Sequence, residues 1–87
     1  MLSLEDCIAL SGLTEDEIVC IAQHEHIPEI AAAELGNYLS RSADGQLIIK
    51  SMIRDDIRAA EARGERDRVL ALKIVLRNYV SEHRRLD

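Results

Sequence analysis

With 87 residues, the chain is long enough for a single domain with a small core. Its hydrophobic fraction of 47% excludes a disordered polymer, and no apolar run approaches the ~18 residues of a membrane span. The net charge of −5 argues against nucleic acid as the main partner. The chain has no Phe, no Trp, one Pro and four Gly, so we expect an aliphatic core and an all-α fold.

The charged residues are distributed unevenly along the sequence. Arg41 is the first basic residue, and eight acidic residues precede it. The part before Arg41 therefore carries about −8, whereas the rest of the chain carries about +3. Opposite charges attract each other within one chain or between two copies. This asymmetry is one reason to expect a homodimer.

The N-terminal part of the chain predicts two helices. The first covers residues 4–10, with Ser3 as its N-cap and Gly12 beyond its end. The second covers residues 14–26 and opens with a capping box, in which Thr14 and Glu17 each accept a hydrogen bond from the other's backbone N–H. We leave open whether the first segment is a full helix or a looser turn.

Pro28 ends the second helix and suits the first position of a third helix, over residues 28–41. This helix is amphipathic, with a predicted core-facing arc of about 120°. The arc consists of Ala31, Ala32, Leu35, Tyr38 and Leu39. Gly36 lies at the edge of the arc, which indicates close packing of a neighbouring helix. Residues 42–45 are predicted to form a loop.

The C-terminal half predicts two long helices joined at Gly64. The fourth helix covers residues 46–63 and the fifth covers residues 65–84. Gly64 is the residue type that most readily adopts the left-handed conformation after a helix, so we expect an antiparallel hairpin. Asp56 lies inside the apolar arc of the fourth helix, where a carboxylate needs a donor. We predict that it pairs with Lys73 or an arginine.

The fifth helix is apolar on more than one side. Leu70 and Ile74 lie away from its main apolar stripe, a pattern typical of a helix that is central in its bundle or is covered on its second face by a partner. Between the two faces lies a basic row, which consists of Arg66, Lys73 and Arg77 and is extended by Arg84. This row suits a solvated surface, an acceptor for the acidic front helices, or a phosphate contact. We predict an interface formed by Leu70, Ile74, Arg66, Lys73 and Arg77.

Residues 20–29 contain the side chains best suited to chemistry. Cys20 and His24 lie four apart on one helix, and Cys7 could add a third ligand for zinc or a softer metal. His26 flanks the helix break, where backbone N–H groups are free. The helical wheel places Cys20 and His24 away from the apolar face, so both should face outward or toward a second interface. No zinc-finger, metalloprotease or di-iron spacing is present.

We therefore predict an all-α single domain over residues 1–87, a bundle of four to five helices built on the C-terminal antiparallel hairpin. Its predicted function is protein–protein interaction, with a homodimer favoured over a monomer, and without catalysis or a cofactor. The first alternative is a metal-binding or thiol redox-sensing protein that uses Cys20 and His24 with Cys7. The second alternative is nucleic-acid binding through the basic row. Residues 14–39 also have the outline of a helix-turn-helix, but its second helix offers Glu29, Glu34 and Asn37 with no basic residue before Arg41, which does not suit DNA. With no signal-peptide pattern, we expect a cytoplasmic protein with reduced thiols.

Overall fold

A computed structural model describes residues 3–83, apart from the side chain of Cys7. This part of the chain contains five α-helices and no β-strand, which confirms the all-α prediction. The helices are α1 (Leu4–Ser11), α2 (Glu15–Glu25), α3 (Glu29–Ser40), α4 (Ala43–Ala62) and α5 (Arg66–Glu82).

Capping side chains determine where the first two helices begin. Ser3 and Asp6 form a capping box on α1, which is therefore a full helix, and Thr14 and Glu17 form the predicted capping box on α2. The cap of α2 at its C-terminal end is His26, whose φ of 57° places a non-glycine residue in the left-handed region. Its backbone N–H donates to the Ala22 carbonyl.

The loop predicted for residues 42–45 was wrong, because α4 begins at Ala43. The Ser42 side chain is its N-cap and accepts a hydrogen bond from the Gly45 N–H at 3.0 Å. Gly45 is required for packing, since a Cβ at this position would overlap the backbone carbonyl of Leu39. Pro28 is the N-cap of α3 and not its first helical residue, so α3 begins at Glu29, one residue later than predicted.

Helices α4 and α5 form the predicted antiparallel hairpin around Gly64. Gly64 has a φ of 72°, and its N–H donates to the Glu61 carbonyl at 3.1 Å. The N–H of Glu65 donates to the Ala60 carbonyl at 3.0 Å. These two bonds form a Schellman motif, which satisfies the last carbonyls of α4 and turns the chain back along it.

The face of α3 that packs on the core differs from the predicted arc. Its buried residues are Ala32, Ala33, Gly36 and Ser40, whereas Tyr38 is exposed. Small side chains let α3 approach α1 and α2 closely, and a Cβ at Gly36 would collide with the Cδ1 atom of Leu13. The close packing predicted for Gly36 is therefore present, but it turns Tyr38 toward the solvent.

The helices form a flat body whose Cα atoms span 41 × 30 × 17 Å. Ile18, Ile21, Ile49 and Ile53 form the fully buried centre, between α2 and α4. Helix α5 packs along α4 and contacts α2 only lightly, so that one long side of α5 lies at the edge of the body. None of the helices in residues 3–83 has both the length and the apolar character that crossing a bilayer requires.

Candidate interaction surface

The outward side of α5 carries two large aliphatic side chains. Only two of its 17 residues, Leu72 and Tyr79, are buried. Leu70 is 61% exposed and Ile74 is 53% exposed, and the two lie one helical turn apart on the same side. We call this pair the outer strip. Its position confirms that the second apolar face of α5 is not covered by the rest of the described chain.

The basic row lies along the outer strip. Arg66, Lys73 and Arg77 are all exposed, whereas Arg84 lies outside the described residues. Within residues 3–83, none of these three side chains forms an ion pair. In the part of the chain that the structure describes, the acidic front helices therefore form no ion pair with Arg66, Lys73 or Arg77, and the three side chains face the solvent.

A groove between α2 and α5 continues the outer strip toward the acidic part of the chain. One cavity of about 230 Å³ is lined by Thr14, Asp16, Ala71, Ile74, Val75 and Asn78. A second cavity, of about 180 Å³, shares Asp16, Ala71 and Val75 with it and extends to Cys20 and Arg68. Because the groove depends on how α2 and α5 meet, no pattern within either helix could have predicted it.

Cys20, which is buried, and Asp56, which is half-buried, form a pair that corrects two predictions. Cys20 is only 3% exposed and does not face outward, because α2 lies between α3, α4 and α5 and buries most of its circumference. Its Sγ donates to Asp56 Oδ2 at 3.1 Å, so Asp56 pairs with a thiol and not with Lys73 or an arginine. Burial, together with the neighbouring Asp56 carboxylate, raises the pKa of the Cys20 thiol to about 12. The side chain is therefore a protonated donor and not a thiolate.

His24 has other partners than Cys20. Its Nδ1 lies 2.9 Å from Glu25 Oε2, and its Nε2 lies 3.4 Å from Asp55 Oδ2. Burial opposes protonation of the ring, but the hydrogen bonds to Glu25 and Asp55 prevail and raise the pKa of His24 above its ordinary value.

The predicted metal ligands do not come together among the described side chains. His26 is exposed at the end of α2, and the Cys7 side chain lies outside the described part. No group of three or more His, Cys, Asp or Glu side chains that could hold a metal ion occurs in the part of the chain that the structure describes.

Glu17 carries a buried carboxyl group, and its burial was not predicted from the sequence. Its side chain is 1% exposed, and its Oε1 accepts a hydrogen bond from the Thr14 N–H at 2.8 Å. Its Oε2 is buried and has no partner among residues 3–83. Burial raises the pKa of Glu17; the Thr14 bonds and His83 oppose the increase, whereas Glu82 adds to it. The capping box predicted the first contact but not the depth of the side chain.

A second buried polar contact ties α5 to α3. The hydroxyls of Tyr79 and Ser40 lie 2.8 Å apart, and the Gln46 Nε2 donates to the Ser40 carbonyl at 3.0 Å. Burial raises the pKa of Tyr79, which stays protonated. Because these polar atoms satisfy each other, they hold the C-terminal half of α5 in one position.

Comparisons with protein families, with curated proteins and with solved structures found no match to this chain.

Proposed function

We propose that the protein is a non-catalytic interaction module that forms a homodimer through the outer side of α5, in the cytoplasm. The observation that carries the proposal is the outer strip, in which Leu70 and Ile74 are both more than half exposed and adjacent. Transfer of such side chains out of water is favourable, at about 1.5–3 kcal/mol for each complete burial. A second copy of α5 would bury Leu70 and Ile74 in this way.

Charge supports a second copy as the partner. The basic row has no ion-pair partner within residues 3–83, and the acidic Asp16 lies at the groove beside Ile74. Each copy therefore presents both signs of charge around the same apolar strip. Complementary charges around an apolar contact favour one partner and one orientation over others.

The size of the surface predicts weak association. A standard interface buries about 800 Å² on each partner, with a central cluster of apolar anchors. The outer strip offers two anchors, and Ala71 and Val75 in the groove add smaller ones. Since association also costs translational and rotational freedom, we expect a dissociation constant on the order of tens of micromolar.

The thiol and metal alternative receives less support. A metal ligand or nucleophile must be a thiolate, whereas Cys20 is buried and donates its proton to Asp56. Its neighbour on the helix, His24, forms hydrogen bonds with two other carboxylates.

Sedimentation equilibrium over a range of protein and salt concentrations tests the proposal. We expect a monomer–dimer equilibrium that shifts toward monomer at high salt, because the contacts between the acidic and basic flanks are exposed and screened. A protein that stays monomeric at high micromolar concentration would contradict the homodimer. A dimer with no salt dependence would remove the electrostatic part of the proposal.

A further inference from the structure

The two sides of the outer strip carry opposite charge. At about 100° per residue, the basic row lies about 40–80° to one side of the strip's centre line. Ala71 and Asn78 lie about 60–80° to the other side, and both line the groove that contains Asp16. The outer strip therefore has the basic row on one side and the groove with Asp16 on the other, and we call the position of Asp16 the acidic band. Arg68 lines the adjoining cavity, where its guanidinium donates to Gln23 Oε1 at 3.0 Å.

The basic and acidic bands lie at the same level along α5. Asp16 lines the groove together with residues between Ala71 and Asn78, so it lies near the middle of that segment. Lys73 and Arg77 fall within the same segment of α5. At 1.5 Å per residue, the offset between the two bands is on the order of 3 Å.

A twofold axis can relate two copies of such a surface in two ways. If the axis runs along the outer strip, the α5 helices are parallel and the acidic band of each copy faces the basic band of the other. If the axis crosses the strip at a right angle, the α5 helices are antiparallel and bands of like charge face each other. Because the bands are also level, only the first arrangement brings Asp16 near the partner's Lys73 and Arg77.

We infer that the two chains associate with their α5 helices parallel, on a twofold axis that runs along the outer strip, with Asp16 of each chain facing the basic row of the other. This arrangement rests on the proposed function and adds to it the orientation of the partner. It gives each copy the same contacts, as a closed twofold dimer requires. It also places equal residue numbers of the two outer strips opposite each other.

A disulfide cross-link tests the orientation. Ser81 is exposed and lies on the centre line of the outer strip, so the two Ser81 Cα atoms of a parallel pair come within about 6 Å, which suits a disulfide. In an antiparallel pair centred between Leu70 and Ile74, they would be about 27 Å apart. We expect Ser81→Cys, in a Cys7→Ser background, to form a covalent dimer in a mild redox buffer. The matched control is Ser51→Cys, an exposed serine on α4, which should not cross-link.

Neutralising Asp16 gives a second test of the orientation. In the parallel dimer, Asp16→Asn removes two attractive contacts and should weaken dimerisation about threefold to tenfold at low salt. In an antiparallel dimer, the same change relieves repulsion and should strengthen it. Glu15→Gln is the control, because Glu15 is also exposed in the first turn of α2 but does not line the groove.

The results separate the orientation from the proposed function. A wild-type dimer together with a Ser81→Cys cross-link and weaker dimerisation of Asp16→Asn supports the parallel arrangement. A wild-type dimer in which Ser81→Cys does not cross-link, or Asp16→Asn associates more tightly, overturns the orientation alone. A wild-type protein that is monomeric at high micromolar concentration overturns the proposed function itself.

Discussion

Removal of the outer strip, by the double substitution Leu70→Ala/Ile74→Ala, should abolish dimerisation without unfolding the chain. Complete burial of a Leu or Ile side chain is worth about 2 kcal/mol, and these two are 61% and 53% exposed in one chain. Truncation to Ala therefore removes about 1 kcal/mol of available burial per side chain. Four such side chains meet in a dimer, so the loss is about 4 kcal/mol, or roughly 700-fold in the dissociation constant.

The same substitution should leave the monomer as stable as before. The removed atoms are largely exposed, and Ala has a higher helix propensity than Leu or Ile. Sedimentation equilibrium gives the dissociation constant, and thermal unfolding under dilute conditions gives the stability of the monomer. The matched control is Leu47→Ala/Ile48→Ala on α4, where the side chains are 57% and 48% exposed. An unchanged dissociation constant in the α5 variant, or an equally large increase in the control, would show that Leu70 and Ile74 do not form the dimer contact.

Three further predictions concern buried groups. The pKa of Glu17 is raised in the folded chain, so its contribution to stability is most favourable below the unfolded pKa and decreases as the pH rises through the folded pKa. Glu17→Gln removes the buried charge and should therefore raise the melting temperature at pH 7, and this gain should vanish near pH 4. Gly45→Ala should cost about 1–3 kcal/mol or more in chemical denaturation, because the new Cβ overlaps the backbone of Leu39 and not a movable side chain. The Cys20 thiol should resist alkylation at pH 8 in the folded protein and react after unfolding, as measured by mass spectrometry, because burial and Asp56 raise its pKa to about 12.

Each of these predictions has a control. Glu15→Gln in the exposed first turn of α2 should not reproduce the pH-dependent gain of Glu17→Gln, and a gain of equal size there would point to net charge as the cause. In Gly12→Ala the new Cβ has no atom within 4 Å, so the substitution should lower the free energy of unfolding only by the backbone strain at a φ of 75°, on the order of 1 kcal/mol. Rapid alkylation of Cys20 in the native state would show that the thiol is not held by Asp56.

Local chemistry made most of the helix boundaries predictable. The capping box at Thr14 and the glycine at position 64 both act within a few residues, so the sequence alone contains their signal. The exposed second face of α5 was predictable for the same reason, since periodicity places Leu70 and Ile74 away from the residues that face α4. The start of α4 was not predicted, because Ser42 and its neighbours have the composition of a loop, whereas the Ser42 side chain is an N-cap in the structure.

Tertiary packing decided the features that were missed. Helix α2 lies between three others, so a wheel based on its apolar residues could not show that Cys20 and Glu17 are buried. The larger apolar side chains Leu35, Tyr38 and Leu39 predicted the wrong core face for α3. The face that packs on the core consists of the smaller residues Ala32, Ala33, Gly36 and Ser40. The pairing of Cys20 with Asp56 joins residues 36 positions apart, and no local rule contains such a contact.

The most direct test of the association surface is the change in backbone amide chemical shifts when the wild-type protein is diluted from about 500 µM to about 10 µM, a range that spans the expected dissociation constant. We expect shifts that concentrate on the outer side of α5, around Leu70, Ile74 and Ser81, and at Asp16 on the facing edge of α2. Shifts that concentrate around Tyr38 or Leu47 would contradict this expectation, as would a spectrum that does not change with concentration.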